Sequence, residues 1–534
     1  MIFRSKCPTL RIPDDASLWN VVEQHARDIG DKPAFTCGLT ERTLTFAELL
    51  RQAELVCAGL AANGLKKGDT VILHSFNCLE YVVVFLALNR LGAICSPSSP
   101  LFSVHELADQ IKIAQAVAVI SHKKLAEVAV GAAGYSRISL AQVYTLGHND
   151  ESSSLQSIED LIAKDLPFPD IPPIDTNQVV TLPFSSGTTG RPKGVELTAR
   201  AMYAAGVIPA YREENPKYVL GMLPFFHIMT TMNFHVTLHR GETMIVLPGF
   251  KPDSFLRTVE KYKLNTINLA PPLITFLAKH PIVDNYDLSH VTHVRSGGAP
   301  LGKEVEHAVM KRLGIQVLQG YGMTEFAGCG SRSYPNMLRS GSSGTLHPNT
   351  ELRVRDLETG EDLPVNRTGE LLFRTPALMK GYFNDAEATR ATLMEDGFVR
   401  TGDLGYIDED GYIFIVDRLK ELIKYKGHQV APAELEDVLN SHSQVADSCC
   451  VRGLDIITGK EIPKAFVVLK EGEQLTEETL MKYVATKVAG YKQIREVEFI
   501  ETIPKSLSGK ILRRKLQLLQ DRKARTERAR QSRL

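Results

Sequence analysis

From Phe184 to Gly194 the chain reads Phe-Ser-Ser-Gly-Thr-Thr-Gly-Arg-Pro-Lys-Gly. Gly187 and Gly190 open backbone angles closed to residues with a Cβ, so amide N–H groups can turn toward anionic oxygens. Ser185, Ser186, Thr188 and Thr189 add hydroxyl donors, and Lys193 adds a cation on a mobile stem. The combination suits a polyphosphate. It is not the ATPase loop G-x-x-x-x-G-K-[ST], because Arg191-Pro192-Lys193 follows Gly190 and the lysine precedes Gly194 instead of a hydroxyl. By composition alone a Ser/Thr/Gly cluster is a solvated turn; the full string is far more specific.

Further motifs follow in order: Leu223-Pro-Phe-Phe-His227, Gln319-Gly-Tyr-Gly-Met-Thr-Glu325, Thr401-Gly-Asp403, Asp417-Arg-Leu-Lys-Glu-Leu-Ile-Lys-Tyr-Lys-Gly427 and Pro504-Lys-Ser-Leu-Ser-Gly-Lys510. Together they resemble the adenylate-forming enzymes, the family of acyl-CoA synthetases, 4-coumarate:CoA ligases and beetle luciferases, from about residue 180 to 515. The resemblance implies an acid–thiol ligase. ATP and a carboxylic acid give an acyl-adenylate and pyrophosphate, and coenzyme A then takes the acyl group and releases AMP. Such a reaction gathers mutually repelling anions, so cations and oriented amides are the main requirement.

By resemblance, Lys510 bridges the attacking carboxylate and the α-phosphate, Lys193 serves the terminal phosphates, and Glu325 holds Mg²⁺ against them. Ala299, Gln319, Gly320, Tyr321 and Thr324 are expected around the adenine and α-phosphate. Asp403, in what reads as a Thr-Gly-Asp turn, and Arg418 are expected at the ribose. His227 is expected to gate or orient the acyl carboxylate. Lys424, Lys426, Gly427 and Gln429 are expected to meet coenzyme A after the small C-terminal domain rotates near Asp417 and withdraws Lys510.

The sequence departs from the coumarate-ligase pattern at Met229, where that group has a tyrosine, at Asn233, where it has a small hydroxyl residue, and at Gly249, where it has a coenzyme A-contacting lysine. Lys251 is the expected substitute for that lysine. A thioether suits an aliphatic chain, so the principal expectation is a medium- or long-chain fatty acid. The alternative is an aromatic, coumarate-like acid, with a luciferase or a non-catalytic nucleotide-binding relative ranked lower. Lys510, Glu325 and Lys193, which a silent relative would be expected to lose, are all present.

The elements that must carry these groups alternate between strand and helix patterns, which predicts a layered α/β fold. Thr45-x-x-Glu48 and Ser103-x-x-Glu106 read as capping boxes opening helices, and Val71-Ile-Leu73 as a buried strand. Tyr218-Val-Leu220, Met244-Ile-Val-Leu247 and Thr292 to Val294 read as strands leading into His227, Ser296-Gly-Gly298 and the Gln319 motif, and binding loops lie at such strand ends. The expected division is 1–416, an AMP-binding and acyl-binding domain, and 417–534, a small mobile α+β domain containing a helix from Pro432 and a strand at Ala465 to Leu469.

At 534 residues the chain is too long for one core. It has 62 basic and 62 acidic side chains, which gives no electrostatic reason to expect nucleic acid or an anionic membrane as the main partner. None of its eight cysteines forms a C-x-x-C pair, which disfavours zinc and a disulfide framework. The first residues are charged where a signal peptide needs an apolar run, and the apolar stretch Tyr81 to Leu88 stops at Asn89-Arg90, so neither secretion nor a membrane span is expected. Ser532-Arg533-Leu534 is a conservative variant of the S-K-L peroxisomal address, behind a basic tail. A peroxisomal protein bound by an import receptor is therefore expected, with the cytoplasm as alternative.

Overall fold

A computed structural model describes every residue except 148–153, 186–191, 212–216, 300, 427, 456–459, 507–508 and 532–534, and describes 524–531 by backbone alone. A large N-terminal region of three layered sheet systems is followed by a smaller C-terminal α+β region. In the first system Thr70–His74 lies between the parallel strands Ile94–Ser98 and Ala118–His122. The helix Leu79–Leu91 packs here with Tyr81 through Asn89 all buried, which is why its sequence is apolar all round without being long enough to cross a membrane. Both expected capping boxes form: Thr45 and Glu48 open the helix Phe46–Ala62, and Ser103 and Glu106 open Val104–Ala114.

The second system supplies the strand ends that matter most. Tyr218–Gly221 runs parallel to Thr243–Val246, and that strand to Pro33–Cys37. Beside it Thr266–Leu269, His293–Ser296 and Gln316–Tyr321 run parallel. Asn77 pins the chain at the ends of the Tyr218–Gly221 and Thr243–Val246 strands. Its Nδ2 lies 2.9–3.3 Å from the carbonyls of Gly221, Met222, Leu223 and Leu247, while its Oδ1 accepts the Phe225 amide at 2.8 Å. One buried amide therefore satisfies the backbone of the segment leading to His227.

The third system is antiparallel and ends with Val399–Ile407 against Ile413–Arg418. Asp417 and Arg418 are still in this ladder, opposite Leu404 and Asp403. The strand thus reaches two residues beyond the expected division at 416, and the connector to the small region follows Arg418. The expected Thr-Gly-Asp turn is instead an irregular stretch within Val399–Ile407, where Gly402 takes φ 68° and the ladder register shifts between Leu404 and Gly405.

The small region builds its own core on Val445–Leu454, Glu461–Leu469 and Glu496–Phe499. Side chains alternate across these strands. Cys450, Ala465 and Val467 face the cluster containing Leu435 of the helix Pro432–Asn440 and Leu480 of Glu477–Ala485, whereas Cys449, Val451 and Phe466 pack with Leu516 of the helix Arg513–Gln531.

Candidate active site

The phosphate-loop sequence is the connection of a hairpin: Phe184 pairs with Gly194 and Ser185 with Lys193 across antiparallel strands. Ser186, Gly187, Thr188, Thr189 and Gly190 lie outside the described residues. The described hairpin base brings several groups together. Ser185 Oγ donates to Glu325 Oε1 at 2.9 Å, and Tyr382 Oη donates to the same oxygen at 2.8 Å. Lys193 Nζ sits 5.0 Å from the centre of the Tyr382 ring and 3.6 Å from Asp385. Glu325 and Lys193, distant in sequence, thus meet around Tyr382. Sequence reasoning missed that tyrosine, whose signal is only the pairing of Gly381–Tyr382 with the Lys193–Thr198 strand.

A cleft at the ends of the parallel strands is lined by His227, Gln319, Gly320, Tyr321, Thr324 and Lys510. His227 caps the helix Ile228–His239, its Nδ1 accepting the Met229 amide at 3.3 Å. Enclosure by protein and the neighbouring Lys510 charge push its pKa down to about 3, so the ring is neutral at physiological pH. Lys510 follows Gly509, which takes φ 80° and whose Cβ position would lie 2.8 Å from Pro272 Cδ and 3.1 Å from Ala270. A residue with a Cβ would be strained and would push the turn off the large region. Desolvation and the Arg418 charge lower the Lys510 pKa to about 8, against the pull of Glu325, Asp403 and Glu421.

On one side of the cleft Asp403 accepts from Tyr321 Oη at 2.6 Å and faces Arg418 Nε at 3.4 Å. Burial raises its carboxyl pKa, and Arg418, Tyr321 and Lys510 oppose the rise. A carboxylate so placed can accept hydroxyl hydrogen bonds. Gln319 turns its side-chain amide toward Glu306 and the Leu301 carbonyl. Gly297 and Gly298 line the cavity, and Ala299 follows them outside the lining set.

From His227 the cavity runs along the Ile228–His239 helix past Met229, Met232, Asn233 and Val236 to Pro209 and Arg332. Met229 Sδ lies 3.4 Å from the position a Cβ on Gly297 would take. Asn268, Arg295 and Ser333 add polar groups to the lining. Arg332 donates to the Pro209 carbonyl at 2.7 Å. Desolvation lowers the pKa of both Arg295 and Arg332 to about 10. Neither arginine was foreseen, since nothing in its own neighbourhood marks it as cavity-lining.

The residues expected at coenzyme A are not gathered here. Lys424, Lys426 and Gln429 are exposed on the hairpin of Ile423–Tyr425 and His428–Val430, Gly427 lies outside the described residues, and Lys251 is exposed at the start of another helix. Among the described residues no group of three or more His, Cys, Asp or Glu could hold a metal ion. Glu325, whose carboxylate accepts from Ser185 and Tyr382, is an oxygen donor that could hold a cation here.

A family model described as "AMP-binding enzyme" matches residues 22–383, and one described as "AMP-binding enzyme C-terminal domain" matches 434–510. 4-Coumarate–CoA ligase 3 of Arabidopsis thaliana is 38% identical over 533 residues, covering 96% of this chain and 93% of that protein. 4-Coumarate-CoA ligase 1 of Narcissus pseudonarcissus is 39% identical over 531 residues, covering 96% of each. The ATP-bound structure of MatB from Rhodopseudomonas palustris superposes with TM-score 0.82 at 28% identity, covering 94% of this chain and 98% of that one. The anthranilate CoA ligase AuaEII with anthranoyl-AMP gives TM-score 0.88 over 95% and 98%; at 23% identity it speaks to the fold alone.

Proposed function

We propose, from the premise that this chain belongs to the AMP-binding enzyme family and is an AMP-forming acid–CoA ligase, that its acid is a coumarate-like aromatic one rather than a fatty acid. The cavity along the Ile228–His239 helix carries this reading. Met229 and Val236 both line it, and seven residues of helix rise make about 10 Å, enough for a propenoic arm and one ring. Its polar groups include two guanidiniums, at Arg295 and Arg332. A long alkyl tail would leave methylenes against desolvated charge, whereas a ring bearing oxygen can accept hydrogen bonds there. The Met229 argument for an aliphatic chain gives way because its sulfur lies beside Gly297 and Gly298, whose lack of side chains leaves room that serves a ring equally well. The 4-coumarate–CoA ligases cited above favour the same class.

In the proposed first half-reaction the acid's carboxylate oxygen attacks the α-phosphorus of ATP, the bond to the bridging oxygen breaks, and pyrophosphate leaves with that electron pair. Lys510 neutralises the approach of carboxylate to phosphate, Lys193 and the 184–194 loop hold the departing phosphates, and Asp403 accepts from the ribose hydroxyls with Arg418 beside it. Mg²⁺, held by Glu325 and the phosphates, would supply further charge neutralisation. Neutral His227 orients the carboxylate without competing for its charge. In the second half-reaction a coenzyme A thiolate attacks the acyl carbon and AMP leaves. Lys510 stands at the cleft, so rotation at the connector after Arg418 withdraws it and carries Lys424, Lys426, Gly427 and Gln429 inward.

The deciding experiment measures AMP release and acyl-CoA mass with ATP, Mg²⁺ and coenzyme A across hydroxycinnamates, benzoates and C8–C18 fatty acids. Preference for a hydroxycinnamate supports the reading; a fatty-acid optimum overturns it. The tripeptide Ser532-Arg533-Leu534 lies outside the described residues, and by its type we assign the protein to the peroxisome through an import receptor. Deleting it should leave kcat intact and move a tagged protein to the cytosol; an unchanged distribution removes the assignment.

A further inference from the structure

Three residues after Lys510, Arg513 begins the C-terminal helix. Its guanidinium is spread over three separate pieces of chain. Nε donates to Glu421 Oε2 at 2.5 Å, Nη2 donates to Glu436 Oε2 at 2.8 Å with Nη1 on the other oxygen, and Nη1 also lies 3.3 Å from the Cys450 carbonyl. Glu421 belongs to the connector just after the large region's last strand, its amide bonded to the Arg418 carbonyl at 3.0 Å. Glu436 belongs to the helix Pro432–Asn440, whose first turn is tied to the same strand by the Ala433 amide donating to Asp417 at 2.9 Å. Cys450 belongs to the small region's sheet.

Lys510 is tied to described residues just before it. Ser506 and Lys510 exchange bonds, Ser506 N to Lys510 O at 2.8 Å and Lys510 N to Ser506 Oγ at 3.1 Å. Leu512 N returns to Pro504 O at 2.8 Å. The placement of Lys510 then depends on what these described flanking residues are fastened to. The downstream end is fastened by Arg513. A planar fork can hold two carboxylates at fixed angles, which an ammonium cannot do.

We propose that Arg513, with Glu421, is a positioning pair for adenylation: it fastens the Lys510 turn to the connector, so that the lysine enters the cleft only when connector and turn move as one unit. This rests on the assignment of Lys510 to the adenylation step. Neither residue of the pair lines the cleft, so the effect passes through Lys510. The ionisable groups acting on Lys510 are Arg418, Glu325, Asp403, Glu421 and the nearby His227.

The test uses the full-length enzyme and the best acid of the panel, and measures ATP–pyrophosphate exchange alongside thioester formation from a supplied acyl-adenylate. Glu421→Gln keeps the Arg513–Glu436 pair, and its melting temperature verifies the fold. Exchange kcat should fall about tenfold or more, as misplacement of a catalytic group by a fraction of an ångström does, with the KM for ATP changed less and thioester formation within about twofold. Its alkaline limb should also move to lower pH, since a carboxylate that favours the charged lysine is gone. Arg513→Lys should give the same split. Unchanged exchange in folded Glu421→Gln, or equal loss of both half-reactions, overturns the proposal. Lys510→Ala separates the two claims: if it spares exchange, the underlying assignment fails; if it abolishes exchange while Glu421→Gln does not, only the positioning pair fails.

Discussion

Lys464 and Lys510 belong to the same small region and have opposite surroundings. Lys464 is fully buried with its three protons met, by Glu496 at 2.6 Å, Glu498 at 2.8 Å and Gln520 at 2.6 Å. Lys510 stands in the wall of a cleft, its ammonium acted on by Glu325, Asp403 and Glu421 with Arg418 opposing them. A saturated buried charge fastens elements together, here the sheet to the Arg513–Gln531 helix. A charge that is enclosed but not saturated is held ready for an anion, and its pKa falls because the protein offers it less than water did.

The largest effect on stability should come from breaking the saturated member. Lys464→Ala removes a buried ammonium and its stem from Gln520 and two part-exposed carboxylates, one of which keeps Lys523, and should cost about 1–3 kcal/mol of stability, read as a fall in melting temperature, while kcat per folded molecule stays close to normal. Lys510→Ala should do the reverse. Exchange should drop on the order of 10²–10³-fold, comparable to removing one aimed charge stabiliser, with the melting temperature unchanged or raised; a destabilised but active Lys510→Ala would collapse the contrast.

The pH profile sharpens it further. The Lys510 pKa is lowered to about 8, so the charged form dominates below that pH and is lost above it. Exchange should be flat from pH 6 to 7 and decline through about 8, far below the usual lysine range of ~10.4. His227, near 3, should add no limb around pH 6.5. Tyr321→Phe is the mildest break. It removes the hydroxyl that donates to Asp403, worth about 0.5–1.5 kcal/mol, and should raise the KM for ATP a few-fold with kcat nearly constant; an unchanged KM would show that Asp403 is oriented without it.

Much of the scaffold was legible because it is set by near neighbours. The capping boxes at Thr45 and Ser103 satisfy amides three residues away, and the strands Tyr218–Gly221 and Thr243–Val246 announce themselves as short apolar runs. The Thr401-Gly402-Asp403 segment misled because a glycine at φ 68° reads as a turn, while the pairing that keeps it in a strand comes from Arg418. Met229 shows a related limit: its type is visible in the sequence, but not the two glycines beside its sulfur.

By itself the sequence determined the chemical inventory: a hydroxyl- and glycine-rich loop with Lys193, a lysine after a glycine at 510, Asp403 with Arg418, and the family they indicate. Tertiary structure alone decided which of these meet. Tyr382 joins Ser185 at Glu325, Asn77 holds the approach to His227, Arg332 enters the cavity along the Ile228–His239 helix, and Arg513 reaches Glu421 and Glu436. The reason is physical. Turns, caps and strand patterns are governed by atoms a few bonds apart along the chain. A contact between residues 77 and 225, or 421 and 513, exists only after separate segments have packed, and its geometry is set by the whole of that packing.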